Sequence, residues 1–227
     1  MVSQESGASL VTSRQFVILL GPPGAGKGTQ AVRLSAGMKL PHISTGDLFR
    51  ENLSQDTDLG KRAKGFMESG QLVPDELVLE MLFDRVSRDD CAEGCLLDGF
   101  PRTIPQAEAL EARLGSETPI ALLLEVADEL IVGRAAGRLL CKSCGNIQHL
   151  EFAPPAKAGV CDSCSGELYR RKDDEPDVVR ERLVVYHDQT APLVGFYENK
   201  GQLRRVNGEQ SPDTVYADLV QTLEGVA

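Results

Sequence analysis

The residues with the clearest chemical meaning form a glycine-rich loop that follows a short apolar run. The run occupies residues 16–20, and its unbroken hydrophobicity is typical of a buried parallel strand. The loop at 21–30 reads GPPGAGKGTQ, and helical spacing follows it. Glycines let several backbone N–H groups face one point, at which the next helix aims the positive end of its dipole. We therefore expect a phosphate cradle formed by Gly24, Ala25, Gly26, Lys27, Gly28 and Thr29.

The loop departs from the usual Walker A order at one position. Gly28 stands where serine or threonine is usual, and the hydroxyl follows at Thr29. Lys27 supplies a full positive charge where the β- and γ-phosphates of a nucleotide would lie. The alternative is a plain turn between a strand and a helix. The spacing, the lysine, the hydroxyl and the preceding strand all favour phosphate binding.

A second chemical motif follows another apolar run, at 95–97. It reads DGFPRT at 98–103 and begins with Asp98. Because α/β proteins place ligands at the carboxyl ends of parallel strands, Asp98 is expected to face a ligand. A capping carboxylate at a strand-to-loop turn is the alternative. Upstream, STGD at 44–47 supplies helix-capping residues at the start of a charged helix.

With the phosphate loop, STGD at 44–47 and DGFPRT at 98–103, the sequence resembles the adenylate kinase family. The resemblance covers roughly residues 15–225, and DGFPR in a phosphate-loop protein is highly specific to nucleoside monophosphate kinases. It implies the reaction MgATP + AMP ⇌ 2 ADP. Such a transfer requires charge neutralisation and in-line positioning. It needs no general base because the attacking phosphate oxygen is already anionic. The histidines interpreted as structural are therefore His42, His149 and His187.

The resemblance implies catalytic roles for several charged residues. Arginine suits phosphate neutralisation because its planar guanidinium group binds phosphate in a bidentate manner. Any one of these arginines, taken singly, is better explained as a surface charge. Their family spacing favours a site instead. The residues given catalytic roles are Lys27, Asp98, Arg102, Arg138, Arg171 and Arg182. Asp98 is expected to orient Mg²⁺ through water, with Thr29 near the metal and the phosphates.

The same resemblance implies two nucleotide sites. ATP is expected to bind the phosphate cradle together with Arg134, Arg138, Ile147, Gln148 and Gln210. AMP is expected to bind Thr45, Arg50, Gln71, Leu72, Val73, Gly99, Phe100, Pro101, Arg102, Gln106, Arg171 and Arg182. The amide of Gln106 both donates and accepts, which suits it to read an adenine edge. Gln148 stands where relatives usually have an aromatic residue, so lid packing or stacking near ATP is expected to differ.

Four of the six cysteines form two CxxC pairs. Cys141 and Cys144 make the first pair, and sixteen residues separate it from the pair of Cys161 and Cys164. This spacing is typical of zinc sites. Four thiolates close a tetrahedral shell without a water position, so the zinc is expected to be structural and to supply folding energy. Disulfides and iron–sulfur binding are the alternatives. The other two cysteines, interpreted as small buried residues, are Cys91 and Cys95.

Strands alternate with helices along the chain, which predicts an α/β fold with a parallel sheet covered by helices on both faces. Two inserted segments are expected to move on this core. The core is assigned to 15–43, 74–136 and 175–227, the AMP-binding segment to 44–73, the zinc-binding lid to 137–174, and a flexible N-terminal extension to 1–14. Within these segments, helical sequence is expected to continue to residue 69 and, in one long helix, from 176 toward 197.

Charge and composition exclude some partners. The net charge of −10 over 227 residues repels nucleic acid and anionic membranes. We find no apolar run near the roughly 18 residues of a spanning helix and no secretory signal pattern. We therefore expect a cytoplasmic protein. The resemblance implies a monomer whose partners are ATP, AMP and ADP, without nucleic acid or membrane.

Two other functions compete with this interpretation. A kinase that acts on UMP or CMP, or that uses GTP as donor, is the nearest. Gln106 and Thr45 argue against pyrimidine acceptors, and relatives that use GTP tend to lack the four cysteines. A zinc-ribbon protein that binds nucleic acid belongs to a different class. The cysteines are its only support, and the net charge of −10 and the 5% aromatic content argue against it.

Overall fold

A parallel sheet occupies the centre of the structure, a computed structural model that describes residues 14–224. The strands are β1 (Gln15–Leu20), β2 (His42–Ser44), β3 (Gly94–Asp98), β4 (Ile120–Glu125), β5 (Arg138–Cys141), β6 (Ile147–His149), β7 (Leu168–Tyr169) and β8 (Leu203–Asn207). Five of them form this sheet in the order β2-β3-β1-β4-β8, and each neighbouring pair is parallel. Their carboxyl ends therefore meet at one edge.

Helices cover both faces of this sheet. They are α1 (Lys27–Met38), α2 (Thr45–Ser54), α3 (Asp58–Ser69), α4 (Asp75–Val86), α5 (Ile104–Leu114), α6 (Asp128–Gly137), α7 (Pro176–Val185), α8 (Pro192–Asn199) and α9 (Pro212–Glu224). Side chains of a strand alternate between its faces. Phe16, Ile18 and Leu20 therefore pack in one core cluster with α4, α5 and α8. Val17 and Leu19 pack in the other with α1, α6 and α9. The α/β fold expected from the sequence is confirmed.

The helical stretch expected to reach residue 69 consists of two helices, α2 and α3. The backbone turns at Asp56, whose φ of 55° is left-handed. Thr57 then caps α3, because its hydroxyl accepts a hydrogen bond from the N–H of Gly60 at 3.1 Å. A Cβ on Gly60 would lie 2.5 Å from the backbone of Asn52, so the close approach of the two helices requires glycine.

The long helix expected from 176 toward 197 is formed, but it is interrupted. α7 ends at Val185 and is followed by a π-helical turn over Tyr186–Thr190. The N–H of Ala191 donates to the carbonyl oxygen of Tyr186 at 2.8 Å, which closes this wider turn. Pro192, which has no N–H to donate, then begins α8.

A small antiparallel sheet with the order β6-β5-β7 is inserted between α6 and α7. Its buried apolar cluster consists of Leu139, Cys141, Cys161 and Leu168. A cluster of this size cannot stabilise a fold by itself. The segment therefore depends on some other source of stability.

Arg14, which the sequence assigned to a flexible extension, is attached to the core. Its guanidinium group donates to the carbonyl oxygens of Cys91 and Ala92 at 3.1 and 3.0 Å and lies 5.0 Å from the ring centroid of Phe16. Residues 1–13 of the expected extension lie outside the described residues. Over residues 14–224, each helix is too short or too polar to cross a membrane.

Candidate active site

The phosphate loop lies between the end of β1 at Leu20 and the first residue of α1, Lys27. Gly26 caps α1 with a left-handed φ of 92°, a conformation that favours glycine. The ammonium group of Lys27 donates hydrogen bonds to the carbonyl oxygens of Gly21 and Pro22 at 2.7 and 2.8 Å. The strand, loop and helix expected from the sequence are therefore formed, and the lysine is folded across its own loop.

Two opposite charges lie beside this loop. Burial of the ammonium group lowers the pKa of Lys27 to about 7, although Asp98 acts in the opposite direction. Burial alone would raise the pKa of Asp98, but the imidazole of His42 and the charge of Lys27 hold it below its ordinary value. The Nε2 atom of His42 lies 3.5 Å from Oδ2 of Asp98. The carboxyl group of Asp98 is therefore an anion at the carboxyl end of β3.

Two cavities open along this edge of the sheet. The first is lined by the phosphate loop and by the π-helical turn. The second is lined by α2, by residues 70–73 and by Gln106. Residues that line both cavities are Gly70, Leu72, Gly99, Arg102 and Arg182. Two guanidinium groups therefore lie at the junction between the phosphate loop and a second binding space.

Carboxylates hold the expected arginines toward this cleft. Arg182 donates to the Asp173 carboxylate at 3.2 Å, and burial lowers the pKa of Arg182 to about 10. Nε of Arg138 donates to the carboxylate of buried Asp174 at 2.9 Å. A guanidinium group has five N–H donors, so those that the carboxylates leave free can bind a phosphate oxygen.

Asp47 joins two more of these arginines across the cleft. Its Oδ1 atom lies 2.6 Å from Arg50 on α2 and 3.5 Å from Arg171, which follows β7. Nε of Arg171 is buried and has no hydrogen-bond partner among residues 14–224. A buried donor without a partner is costly, so this atom has spare capacity for an anionic ligand.

The second cavity carries the polar groups expected to recognise AMP. The hydroxyl of Thr45 donates to the carbonyl oxygen of Gly99 at 2.8 Å, and Nε of Arg102 donates to the same oxygen at 2.8 Å. Gln106 lines this cavity and is only 1% exposed. Gln71 donates to Glu181 at 2.6 Å and so ties the cavity wall to α7. The neighbouring wall includes Leu72 and Val73, while Phe100 is fully buried beside Pro101.

Comparison with known proteins identifies the family to which such a cleft belongs. A family model described as adenylate kinase matches residues 19–202. This chain belongs to the adenylate kinase family. An adenylate kinase of Lachnoclostridium phytofermentans is 51% identical over 214 residues, which cover 93% of this chain and 99% of that protein. One of Caldicellulosiruptor saccharolyticus is 54% identical over 210 residues, and one of Clostridioides difficile is 49% identical over 210 residues. Both matches cover 91% of this chain. They cover 98% of the Caldicellulosiruptor protein and 97% of the Clostridioides protein.

Arg134, which the sequence predicted at ATP, meets the loop after β8. Its guanidinium group donates to the carbonyl oxygens of Gly208 and Glu209 at 2.8 and 3.3 Å. Gln210, on the same loop, donates to Asp218 at 2.8 Å. Arg134 and Gln210, which come from separate parts of the sequence, therefore meet at the loop after β8.

Sequence reasoning missed an aromatic residue at this place. The ring of Phe152 is 55% exposed, and its centroid lies 5.7 Å from the guanidinium carbon of Arg134. His149 holds both residues, because Nε2 bonds to the carbonyl oxygen of Arg134 at 3.0 Å and Nδ1 accepts from the N–H of Phe152 at 3.2 Å. The only signal in the sequence is an aromatic residue in a polar insert.

Gln148 and Ile147, both expected at ATP, take different positions. The Gln148 side chain is buried in the small sheet, where it donates to the Asp162 carboxylate at 2.6 Å and accepts from the Asp162 N–H at 3.2 Å. In this conformation its amide is engaged in lid packing. Ile147 instead faces the phosphate loop, since a Cβ on Gly28 would lie 3.6 Å from both its Cδ1 atom and Oδ2 of Asp98.

The four expected cysteine ligands form one cluster. The Sγ atoms of Cys141, Cys144, Cys161 and Cys164 lie within 4.8 Å of one another, a position suited to a metal ion. The distance between Sγ of Cys144 and Sγ of Cys161 is 3.7 Å, too long for a disulfide. Hydrogen bonds from backbone N–H groups lower the pKa of Cys141 to about 6, whereas the neighbouring cysteines raise the pKa of Cys164 to about 12, so the cysteines of the cluster titrate together. All six cysteines of the chain are free.

Proposed function

We propose that the first cavity binds ATP, that the second binds AMP, and that the transferred phosphoryl group lies between Arg102 and Arg182. As an adenylate kinase, the chain converts ATP and AMP reversibly to two ADP. The observation that carries the proposal is that both arginines line both cavities. Phosphoryl transfer needs in-line placement and charge neutralisation, and a junction with two guanidinium groups supplies both.

Lys27 and Asp98 are proposed to handle the charge of the ATP phosphates. The lysine already donates to two carbonyl oxygens of its loop, so its donors point to the loop that would hold the phosphates. The carboxylate of Asp98 is anionic, half-buried and next to Gly28, which suits a water-mediated contact to the Mg²⁺ ion that accompanies ATP. When bound, Mg²⁺ neutralises phosphate charge.

Binding of AMP is assigned to the groups that line the second cavity. Arg50 and Arg102 are proposed to hold its phosphate, and Gln106 is proposed to read its base. The polar edge of adenine offers an N–H donor beside a ring-nitrogen acceptor, which matches a glutamine amide. Thr45 and the backbone of 71–73 complete the pocket wall.

We further propose that the segments 44–73 and 137–174 close over the nucleotides and exclude water. A dry site favours transfer to AMP over transfer to water. Contacts between the two segments support this proposal: Asp47 reaches Arg171, and Lys172 lies 3.6 Å from Glu68. In the closed site Arg171 would approach the arginines of the core, and the charge of Arg138 already acts on Arg182.

The cysteine cluster is proposed to hold a structural zinc ion. Four thiolates with borderline-soft character suit zinc, and a closed shell of four protein ligands leaves no catalytic position. Cys91 and Cys95, which lie outside the cluster, form no disulfide, and this supports a reducing compartment such as the cytoplasm. A monomer is proposed from the family resemblance, and sedimentation of the purified protein will test it.

A coupled assay that offers AMP, UMP, CMP and GMP in turn, with ATP as donor, tests the function. AMP is expected to be the preferred acceptor, because the Gln106 amide matches adenine. Preference for any other monophosphate, or hydrolysis of ATP without use of an acceptor, would overturn the proposal. Repeating the scan with GTP as donor tests the ATP assignment.

A further inference from the structure

Asp75, the first residue of α4, makes two hydrogen bonds that converge on the start of α5. Its Oδ1 atom accepts from Nε2 of Gln106 at 2.6 Å, and its Oδ2 atom accepts from the hydroxyl of Thr103 at 2.9 Å. Thr103 in turn caps α5, because its hydroxyl accepts from the N–H of Gln106 at 3.3 Å. The carboxylate therefore joins α4, the cap of α5 and the buried amide of Gln106.

The orientation of the Gln106 amide is determined at both ends. Its Oε1 atom accepts from the backbone N–H of Arg102 at 2.8 Å, and a backbone N–H can only donate. Its Nε2 atom faces the Asp75 carboxylate, and an ionised carboxylate can only accept. If the amide were turned over, its N–H would face the N–H of Arg102 and its oxygen would face the carboxylate of Asp75, in a side chain that is 1% exposed.

These two bonds leave a defined donor and a defined acceptor for a ligand. A glutamine amide has two N–H donors and two acceptor lone pairs, so one of each remains at the cavity that Gln106 lines. Adenine carries an N–H donor at its six position, whereas hypoxanthine carries a carbonyl oxygen there. An amide fixed in one orientation complements only one of these bases, and an amide free to turn over complements both.

We propose that Asp75 is a positioning residue that fixes the orientation of the Gln106 amide and thereby makes the monophosphate site selective for a 6-amino purine over a 6-oxo purine. The inference rests on the proposed role of Gln106 at the AMP base. In the absence of the carboxylate, only the N–H of Arg102 still opposes the turned-over amide. The preference for a 6-amino purine over a 6-oxo purine is therefore expected to decrease but not to disappear.

The test compares kcat/KM for AMP and for inosine monophosphate, with ATP as donor, in the full-length zinc-loaded protein. In Asp75→Ala, the ratio of the two values is expected to fall about tenfold, the effect of one hydrogen bond to a charged group. The decrease in kcat/KM for AMP is expected to come from a higher KM, with kcat at saturating AMP nearly unchanged. A purely structural role would lower kcat for both acceptors and leave the ratio unchanged.

Two variants serve as controls. Asp75→Asn retains an oxygen for Gln106 and offers its amide nitrogen to the hydroxyl of Thr103, so it is expected to restore most of the ratio. Glu76→Ala removes the neighbouring exposed acid from the same helical turn without touching Gln106, and is expected to keep the wild-type ratio. If Asp75→Ala does not fold, Asp75→Ser is measured instead, since serine keeps a polar side chain in the first turn of α4 but its short hydroxyl does not reach Gln106.

A ratio in Asp75→Ala equal to that in Glu76→Ala would overturn the inference. So would an Asp75→Asn variant that loses as much selectivity as Asp75→Ala. Failure of the proposed function gives a different result, because the wild-type protein would then not prefer AMP at all. With wild-type preference for AMP intact, an unchanged ratio refutes the role of Asp75 alone.

Discussion

Arg102 and Arg182 line the same two cavities although they are far apart in the sequence. Arg102 follows β3, and Arg182 lies within α7. Each is held by local contacts: Arg102 donates to the carbonyl oxygen of Gly99, and Arg182 donates to the carbonyl oxygen of Asp173 at 3.1 Å. Because contacts within the protein hold both side chains, little side-chain entropy is lost when they bind phosphate. The pair therefore forms a preorganised junction for phosphoryl transfer.

Replacement of Arg102 by alanine is expected to lower kcat by about 10²- to 10³-fold, the usual effect of removing one donor to a transition-state charge. Folding is expected to be retained, which circular dichroism will check. Arg180→Ala is the matched control, because Arg180 lies on α7 two residues before Arg182, is 62% exposed and pairs with Asp177. Equal activity in the two variants would contradict the assignment of the junction.

Binding of ATP is expected to take up protons at pH 8. The pKa of Lys27 is about 7 in the free protein because its ammonium group is buried, so the side chain is mostly neutral at pH 8. Phosphate oxygens favour the charged form and raise this pKa, whereas at pH 6 the lysine is already protonated. Calorimetric titration with ATP, without added metal, in two buffers of different ionisation enthalpy measures the uptake.

Lys27→Met is the control for this uptake. Protons that ATP itself exchanges are unaffected by the substitution, so the difference between the two proteins belongs to the lysine. Uptake that is the same in both proteins would show that Lys27 is already charged in the free protein.

The sequence predicted the local parts of this site well. The strand, loop and helix around Lys27 follow from consecutive residues, and so does the inward face of α4. That face consists of Leu77, Val78, Met81, Leu82 and Val86, which recur at helical spacing and are all buried.

Features that depend on tertiary contacts were missed. The break at Asp56 requires a left-handed residue that helical periodicity does not reveal. The bond between Asp75 and Gln106 joins residues 31 positions apart on different helices. The engagement of Gln148 with Asp162 likewise depends on how the small sheet folds.

Removal of zinc is expected to lower the melting temperature and loosen residues 137–174 while the parallel sheet keeps its structure. The buried apolar cluster of the small sheet has four members, two of which are cysteine ligands, so without metal little remains to stabilise it. Calorimetry after chelation, with metal content measured by mass spectrometry, checks the loss. An unchanged melting temperature after verified metal removal would contradict a structural role.

Phosphorus NMR of ATP mixed with AMP tests the central claim most directly. The two-cavity site predicts that ATP and AMP disappear together in equal amounts, that two ADP appear for each pair, and that inorganic phosphate does not accumulate. Asp75→Asn retains this stoichiometry, and Arg102→Ala retains it at a much lower rate. Release of inorganic phosphate from ATP while AMP stays unchanged would contradict transfer across the junction of Arg102 and Arg182.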